Sequence, residues 1–507
     1  MAVTLRNTIN FIGDVSAESG LSHAAELTLQ AMQYEKIPVC FQSVLYESHP
    51  RANTKLRYAY LQKNTGNISL IFYNINEFPQ ISDTYLNHLT KETYRIGYWV
   101  WEMPYLPYNL AEQIARVDEI WTPSVFTQKI FQKYTQKPVY VIPHPVLMPP
   151  ATNRMEARAL LSLPQDRYIY LYTFSALSSE LRKNPFGVIR AFTRAFPERD
   201  DTTPLLCIKA AHIERFPSFE QDLDAAVAEA GGIVLKGYSS QKRLETLINS
   251  VDCYVSLHRT EGFGLGMAEA MAAGKPVIAT AYSGNLEFMN RHNSFLTDYR
   301  LRSVSAEDYR YFPELELLYE PGQVVAEPDI ANAAHFMQYV YQQRDAAAEI
   351  GDTAAVSVQS QLHPKVIGAK IFERLQQITD SLPNTRRNPV RRFVAFPENS
   401  IPNYEDPIYW RYITANHLLN DHANALDYWE KTRQKQLTLR YTRWPVVGKI
   451  ISFIIQLLLL QKLLLRLSAI EQITFAEMKY LFQQQQTQQL RSDDTIHAEL
   501  SGDQPSV

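Results

Sequence analysis

Along the first 375 residues, short apolar runs rich in β-formers alternate with longer helix-forming stretches. This is the patterning of an α/β chain. The pattern predicts a strand over 8–12, a polar glycine-bounded loop over 13–20 and a helix over 21–34. Further strands are expected at 38–41, 69–73, 94–99, 119–122 and 139–142. Together they describe one doubly wound domain, residues 1–145, ending at Pro143-His144-Pro145. Closely spaced prolines from Pro143 to Pro150 mark a linker. A second α/β domain, residues 146–380, opens with a strand at 168–174. It continues through a helix at 185–196, a strand at 205–209, a helix at 219–230, a strand at 233–236 and a helix at 241–250.

The pattern changes beyond the second domain. A linker over 381–407 is rich in proline and carries Arg386, Arg387, Arg391 and Arg392. A helical extension over 408–482 follows, and within it 431–449 holds six Lys or Arg and no acid. The aliphatic run 450–467 comes next. At 100° per residue, Lys449, Ser452, Gln456, Lys462 and Arg466 fall in one stripe about 140° wide. A spanning helix needs about 20 apolar residues, and the polar residues interrupt this one. An interfacial helix with its basic flank toward anionic lipid fits better; a helix packed on protein and a true span are the alternatives. The glutamine-rich tail, 483–507, reads as disordered.

Composition narrows the class only a little. The 507 residues set a prior of about three domains. A hydrophobic share of 46% suffices for substantial cores, and the net charge of −3 carries no nucleic-acid signature. Cys40, Cys207 and Cys253 lack metal-type spacing, and each sits in an apolar run, as buried reduced thiols do. Residues 1–20 lack the apolar core of a signal peptide, so a cytoplasmic enzyme is expected.

The candidate chemistry lies in 258–279. The strand 253–257 leads into Glu261-Gly262-Phe263-Gly264-Leu265-Gly266-Met267-Ala268-Glu269, a helix over 267–273 with a stop at Gly274, and a further strand. Ligands of open α/β sheets bind at such strand-to-helix turns, where free N–H groups and the helix dipole favour an anion. Glu261 and Glu269 are acceptors suited to hydroxyl groups. Hydroxyls on both sides of a diphosphate describe a nucleotide-sugar. A dinucleotide-binding loop fits less well: the third glycine comes one residue early, and the next strand ends at Thr280, not at an acid.

The segment resembles the E-x7-E signature of the retaining, group-one glycosyltransferases of GT-B fold, and the likeness extends over roughly residues 8–375. It implies two Rossmann-like domains facing a cleft. It also implies that Glu261 holds the donor sugar, that Glu269 holds the ribose, and that loop amides of Gly262, Phe263, Gly264 and Leu265 meet sugar and phosphate. Leu181-Arg182-Lys183-Asn184-Pro185 looks like the family's basic element, with Lys183, helped by Arg182, neutralising the departing diphosphate. Lys209 is a weaker candidate for that role. Ser19-Gly20-Leu21 resembles the family's glycine loop, which places Gly20 near the donor. Trp101 stands where many relatives have a histidine, while Glu102 is kept and is assigned to polarise the acceptor hydroxyl. Trp99 and Trp101 either stack on a sugar or pack the core. His144 is placed as a hinge residue. Arg259 reaches either a phosphate or a neighbouring acid, and Glu287 supports the donor pocket from beneath.

The resemblance therefore implies sugar transfer from a nucleoside diphosphate to a glycan or lipid-linked acceptor, with retention. Neither a metal nor a further cofactor is expected. Lipopolysaccharide, capsule or exopolysaccharide synthesis at the inner face of the plasma membrane is the expected setting. The competing reading is a catalytically degenerate fold, recruited to the membrane as a scaffold.

Overall fold

The computed structural model describes residues 8–43 without 16, 66–81, 86, 93–198 without 151, 200, 202–313 and 322–382. The linker from 383, the helical extension, the basic 431–449 run, the 450–467 helix and the tail lie outside the described residues. Among the described residues, no helix is long and apolar enough to cross a membrane.

Two six-stranded parallel sheets form the frame. The first orders its strands β2-β1-β3-β4-β5-β6. Its members are β1 (Ile9–Gly13), β2 (Val39–Ser43), β3 (Ile68–Phe72), β4 (Tyr94–Tyr98), β5 (Glu119–Thr122) and β6 (Val139–Val141). Every pairing is parallel. Helices α1 (Gly20–Tyr34), α2 (Tyr108–Ala111) and α3 (Val125–Phe131) accompany it. Trp99, Trp121 and Tyr98 are among the largest fully buried side chains. The likeness to sugar-stacking tryptophans therefore resolves to core packing for Trp99, and Trp101 is buried as well.

The second sheet orders β12-β11-β10-β7-β8-β9, again wholly parallel. Its strands are β7 (Ile169–Ser175), β8 (Leu205–Ala211), β9 (Ile233–Lys236), β10 (Cys253–Ser256), β11 (Val277–Thr280) and β12 (Phe295–Thr297). Between them run α4 (Arg154–Leu160), α5 (Glu180–Lys183), α6 (Pro185–Ala195), α7 (Pro217–Glu229), α8 (Gln241–Ser250) and α9 (Leu265–Ala272). The strands β7 to β10 lie within two residues of their expected bounds, whereas the short β12 was not among those expected. The three cysteines are free and buried in β2, β8 and β10.

Three departures from the sequence pattern bear on the site. Helix α9 starts at Leu265, two residues before the expected start, so Gly264 is its N-cap. Strand β8 runs to Ala211, which puts Lys209 inside the strand and not at its end. An antiparallel hairpin, β13 (Tyr299–Ser303) with β14 (Val324–Pro328), follows the second sheet. β13 is mostly exposed, so no buried apolar run announces it.

The described chain closes with α10 (Ile330–Gln342), α11 (Arg344–Leu362) and α12 (Pro364–Ser381). Although α12 falls in the sequence span assigned to the second domain, it packs on α1 beside the first sheet. Arg374 fixes it there, with Nη2 at 2.5 Å and Nε at 2.9 Å from the fully buried Glu119 carboxylate.

Candidate active site

The basic turn after β7 is bracketed by two non-glycine residues in positive-φ conformations, Ser179 at φ 66° and Asn184 at φ 49°. Asn184 is fully buried and holds both sides of the turn. Its Oδ1 accepts from the Gly187 amide at 3.1 Å, capping α6, and its Nδ2 donates to the Leu257 carbonyl at 2.7 Å. Three consecutive carbonyls of the turn are tied from outside it. Leu181 O accepts from Arg259 Nη1 at 3.0 Å, Arg182 O from the Arg259 amide at 2.8 Å, and Lys183 O from the Tyr172 hydroxyl at 2.5 Å. The backbone is thus anchored while two cationic side chains project from it. Lys183 Nζ lies 2.5 Å from Glu261 Oε1, and Arg182 Nη1 lies 3.0 Å from Glu102 Oε1.

Glu261 is only 9% exposed. Its amide donates to Ser283 Oγ at 2.8 Å, and its carbonyl accepts from the Gly284 amide at 2.8 Å. Burial pushes its carboxyl up, but the charges of Lys183 and Arg182 outweigh that and hold it below the usual glutamate range. Beside it, His258 Nε2 lies 3.1 Å from the Tyr282 carbonyl, so that nitrogen carries the proton. Its Nδ1 faces Ser256 Oγ at 3.1 Å. Burial lowers the imidazole's pKa. His258 is a neutral brace of the loop.

The glycine loop rests against the first sheet's elements. Gly262 O accepts from Ser124 Oγ at 2.6 Å, and a side chain at Gly262 would collide with Val100. Gly264 has φ 98°, a conformation only glycine adopts readily, and from it α9 departs. The Met267 and Ala268 amides already donate to the Gly264 carbonyl, which leaves the Leu265 and Gly266 amides at the start of α9 as an anion site.

Glu269, one turn into α9, faces different partners. Gln241 Nε2 donates to it at 3.1 Å, and His23 Nε2 from α1 lies 3.3 Å away. A second pair beside it runs the other way: Glu18 Oε2 lies 3.2 Å from His212 Nε2, whose Nδ1 faces Ser175 Oγ at 3.2 Å. Between Glu18 and His23, Gly20 opens α1, and the space where a Cβ would stand is open.

Other candidates go elsewhere. Arg259, offered as a phosphate ligand or a partner of an acid, takes the acid: its Nε is 2.7 Å from Glu327 Oε2, with Glu180 at 3.6 Å from Nη1. Lys209 is buried and donates to the Gly237 carbonyl, with burial lowering its pKa to about 8. Glu287 accepts from the Val125 amide at 2.9 Å, at the start of α3 beside the first sheet. His144 is buried, with Nδ1 3.0 Å from the Tyr98 hydroxyl, and burial lowers its pKa to about 3. Phe263 turns its ring onto His144 and Phe288, so only its backbone remains for a ligand. Leu265 supplies the first amide of α9.

Asn184, Ser283, Tyr172, His23 and Glu327 were not singled out by motif. Asn184 did carry a signal, since an Asn before Pro marks a helix cap with proline at the first position. The others join the site through long-range contacts that no local pattern carries.

Residues 162–310 match the family described as Glycosyl transferases group 1. No curated protein matches the chain in sequence. Among solved structures, a glycosyltransferase from Rickettsia africae is similar at 15% identity and a TM-score of 0.52, covering 74% of this chain and 99% of its own. Sucrose-phosphate synthase from Thermosynechococcus elongatus is similar at 14% identity and 0.50, covering 74% and 100%. Anabaena HepE in complex with UDP-glucose is similar at 13% and 0.50, covering 73% and 100%. These likenesses establish the fold as GT-B. The stretch that carries the basic turn and both glutamates lies within the residues that match the group 1 glycosyltransferase model.

Proposed function

We propose that this protein transfers a sugar from a nucleoside diphosphate to a glycan or lipid-linked acceptor hydroxyl, with retention and without a metal. The observation that carries the reading is the buried Lys183–Glu261 pair, 2.5 Å apart, where the basic turn, the glycine loop and the start of α9 converge. Each cation of the turn sits on a carboxylate from a facing element, Lys183 on Glu261 and Arg182 on Glu102. A diphosphate arriving there exchanges one anionic partner for another. Glu261 then turns its acceptor oxygens to donor-sugar hydroxyls, and Glu269 to the ribose.

In the reaction, the bond from the anomeric carbon to phosphate oxygen breaks and a bond to the acceptor oxygen forms on the same face. The acceptor proton passes to an oxygen of the leaving diphosphate. Lys183, Arg182 and the N-terminus of α9 stabilise the charge that develops on that diphosphate, a fixed field that needs no ion. Glu102 orients the acceptor hydroxyl. Amides of Gly262, Phe263, Gly264 and Leu265, with Gly20 opposite, enclose the phosphates.

A panel of UDP-, GDP-, ADP- and dTDP-sugars incubated with the full chain tests this. One donor should release its nucleoside diphosphate, at a rate unchanged by EDTA, and a trapped acceptor should show a retained anomeric proton by NMR. Tight binding without release from any donor would contradict transfer and favour the scaffold reading.

We further infer that the basic, aliphatic run 431–467 brings the enzyme to anionic lipid, where lipopolysaccharide, capsule or exopolysaccharide acceptors reside. Each basic side chain near such a surface contributes about 1 kcal/mol. The full chain should sediment with anionic vesicles and leave them in high salt. A chain that stays in the supernatant at low salt would overturn the membrane reading.

A further inference from the structure

The hairpin β13–β14 is bonded to the basic turn through Arg259. Glu327, on β14, accepts from Arg259 Nε at 2.7 Å and from Arg302 Nε at 2.9 Å through the same oxygen, Oε2. Arg302 is itself held by Asp308, with Nη2 at 2.6 Å from Oδ1 and Nη1 at 2.7 Å from Oδ2. Asp308 in turn accepts from the Ser305 amide at 2.8 Å. The Ala326 amide donates to the Arg259 carbonyl at 3.1 Å, so the strand grips Arg259 by backbone as well as by side chain. From there Arg259 reaches the carbonyls of both Leu181 and Arg182.

The hairpin also meets the other side of the cleft. Gln323, just before β14, accepts from the Tyr105 amide at 3.2 Å and donates to the Tyr105 carbonyl at 3.0 Å. Tyr105 lies three residues past Glu102. One insertion is therefore bonded to the segments that present Arg182, Lys183 and Glu102.

Resting on the donor-site reading above, we propose that Glu327 is a positioning residue. It orients Arg259, Arg259 fixes the carbonyls of the turn, and the turn thereby aims Lys183 and Arg182 at the diphosphate. Glu327 does not touch the donor. Its carboxylate, flanked by Arg259 and Arg302, is held below the usual glutamate range despite burial.

The sign of one substitution separates this role from simple electrostatics. Glu327→Gln removes a negative charge near an anion site, so through field alone it would tighten diphosphate binding. Through positioning it must weaken it, because Arg259 then keeps only the longer contact with Glu180, at 3.6 Å, and its side chain no longer holds the Leu181 carbonyl in place. A misplacement of even 1 Å at such a site is costly. Binding of UDP, GDP and ADP to the full chain is measured by calorimetry, and whichever binds wild type most tightly serves as the probe. Glu327→Gln should weaken it about tenfold, and Glu327→Asp by less. Arg259→Lys keeps the charge but cannot reach both Glu327 and Leu181, so it should match the loss. The double variant Glu327→Gln with Arg259→Lys should be no worse than either single one, as expected for residues acting in one chain. Thermal unfolding identifies any variant that fails to fold, and the milder Glu327→Asp then carries the test. Unchanged or tighter binding in folded Glu327→Gln, or additive losses in the double variant, overturns the proposal. A wild type that binds none of the three diphosphates overturns the donor-site reading and this inference with it.

Discussion

Glu261 and Glu269 belong to one motif, yet the protein treats them in opposite ways. Glu261 is locked inside its own half of the molecule: its backbone is pinned by Ser283 and Gly284, and its carboxylate is neutralised by Lys183 at 2.5 Å. Glu269 is shared between halves, with Gln241 on one side and His23 of α1 on the other. The same side chain serves as a fixed, charge-balanced group in one place and as a contact between the two sheets' elements in the other. Local sequence presents the pair as equivalent, and their neighbours make them different.

The largest effect should come from breaking the fixed end. Lys183→Ala leaves a buried carboxylate with Arg182 as its remaining nearby cation. Losing one partner of a buried pair costs about 3 kcal/mol of stability. If Lys183 also holds the diphosphate, affinity for a free nucleoside diphosphate should fall about 30- to 100-fold, the loss of one charge-assisted contact. Calorimetry with the diphosphate that wild type prefers checks this, and unchanged affinity would move the role to Arg182.

The shared end should respond to pH, and by less. Burial disfavours the charged form of His23, but the hydrogen bond and charge of Glu269, with Glu26 and Glu245 nearby, outweigh it, so its pKa is raised. A raised pKa means that the His23–Glu269 contact stabilises fully below the unfolded value near 6.5. That contribution is lost as pH rises through the folded value. Glu269 is therefore freed for a ribose hydroxyl at the alkaline side of that window. Donor affinity should rise about two- to threefold as pH climbs above about 6.5 and through the raised folded value, since a partly exposed pair contributes well under 1 kcal/mol. His23→Gln should flatten the profile. An unaltered slope in that variant would place the titrating group elsewhere.

How much of this was legible in the sequence follows the same division between local and long-range. Strand β5 lies where the apolar pattern put it, because a strand buried on both faces writes itself as a continuous run; β9, at the sheet edge, and helix α8 also fall on their expected bounds. The Glu261–Glu269 spacing and the Lys183 turn were legible as local motifs, and the fold brings Lys183 onto Glu261 across 78 positions. Arg259 was readable only as a choice between phosphate and acid, because Glu327 lies on a hairpin 68 residues away. The partner of Glu287, the Val125 amide, is likewise 162 residues away on a helix beside the other sheet. Trp99 and Trp101 carry no local sign that separates a sugar platform from a core, and burial decides it.

The most direct test of the account is the pair Glu261→Gln and Glu269→Gln, assayed for sugar transfer and for binding of the nucleotide-sugar. Glu261→Gln should stay folded and lose transfer by at least 10- to 100-fold, one charge-assisted hydrogen bond or more, while keeping most of its affinity for the nucleoside diphosphate. Glu269→Gln should chiefly raise the donor KM. Near-wild-type turnover by a well-folded Glu261→Gln protein would contradict the assignment of this cleft to glycosyl transfer.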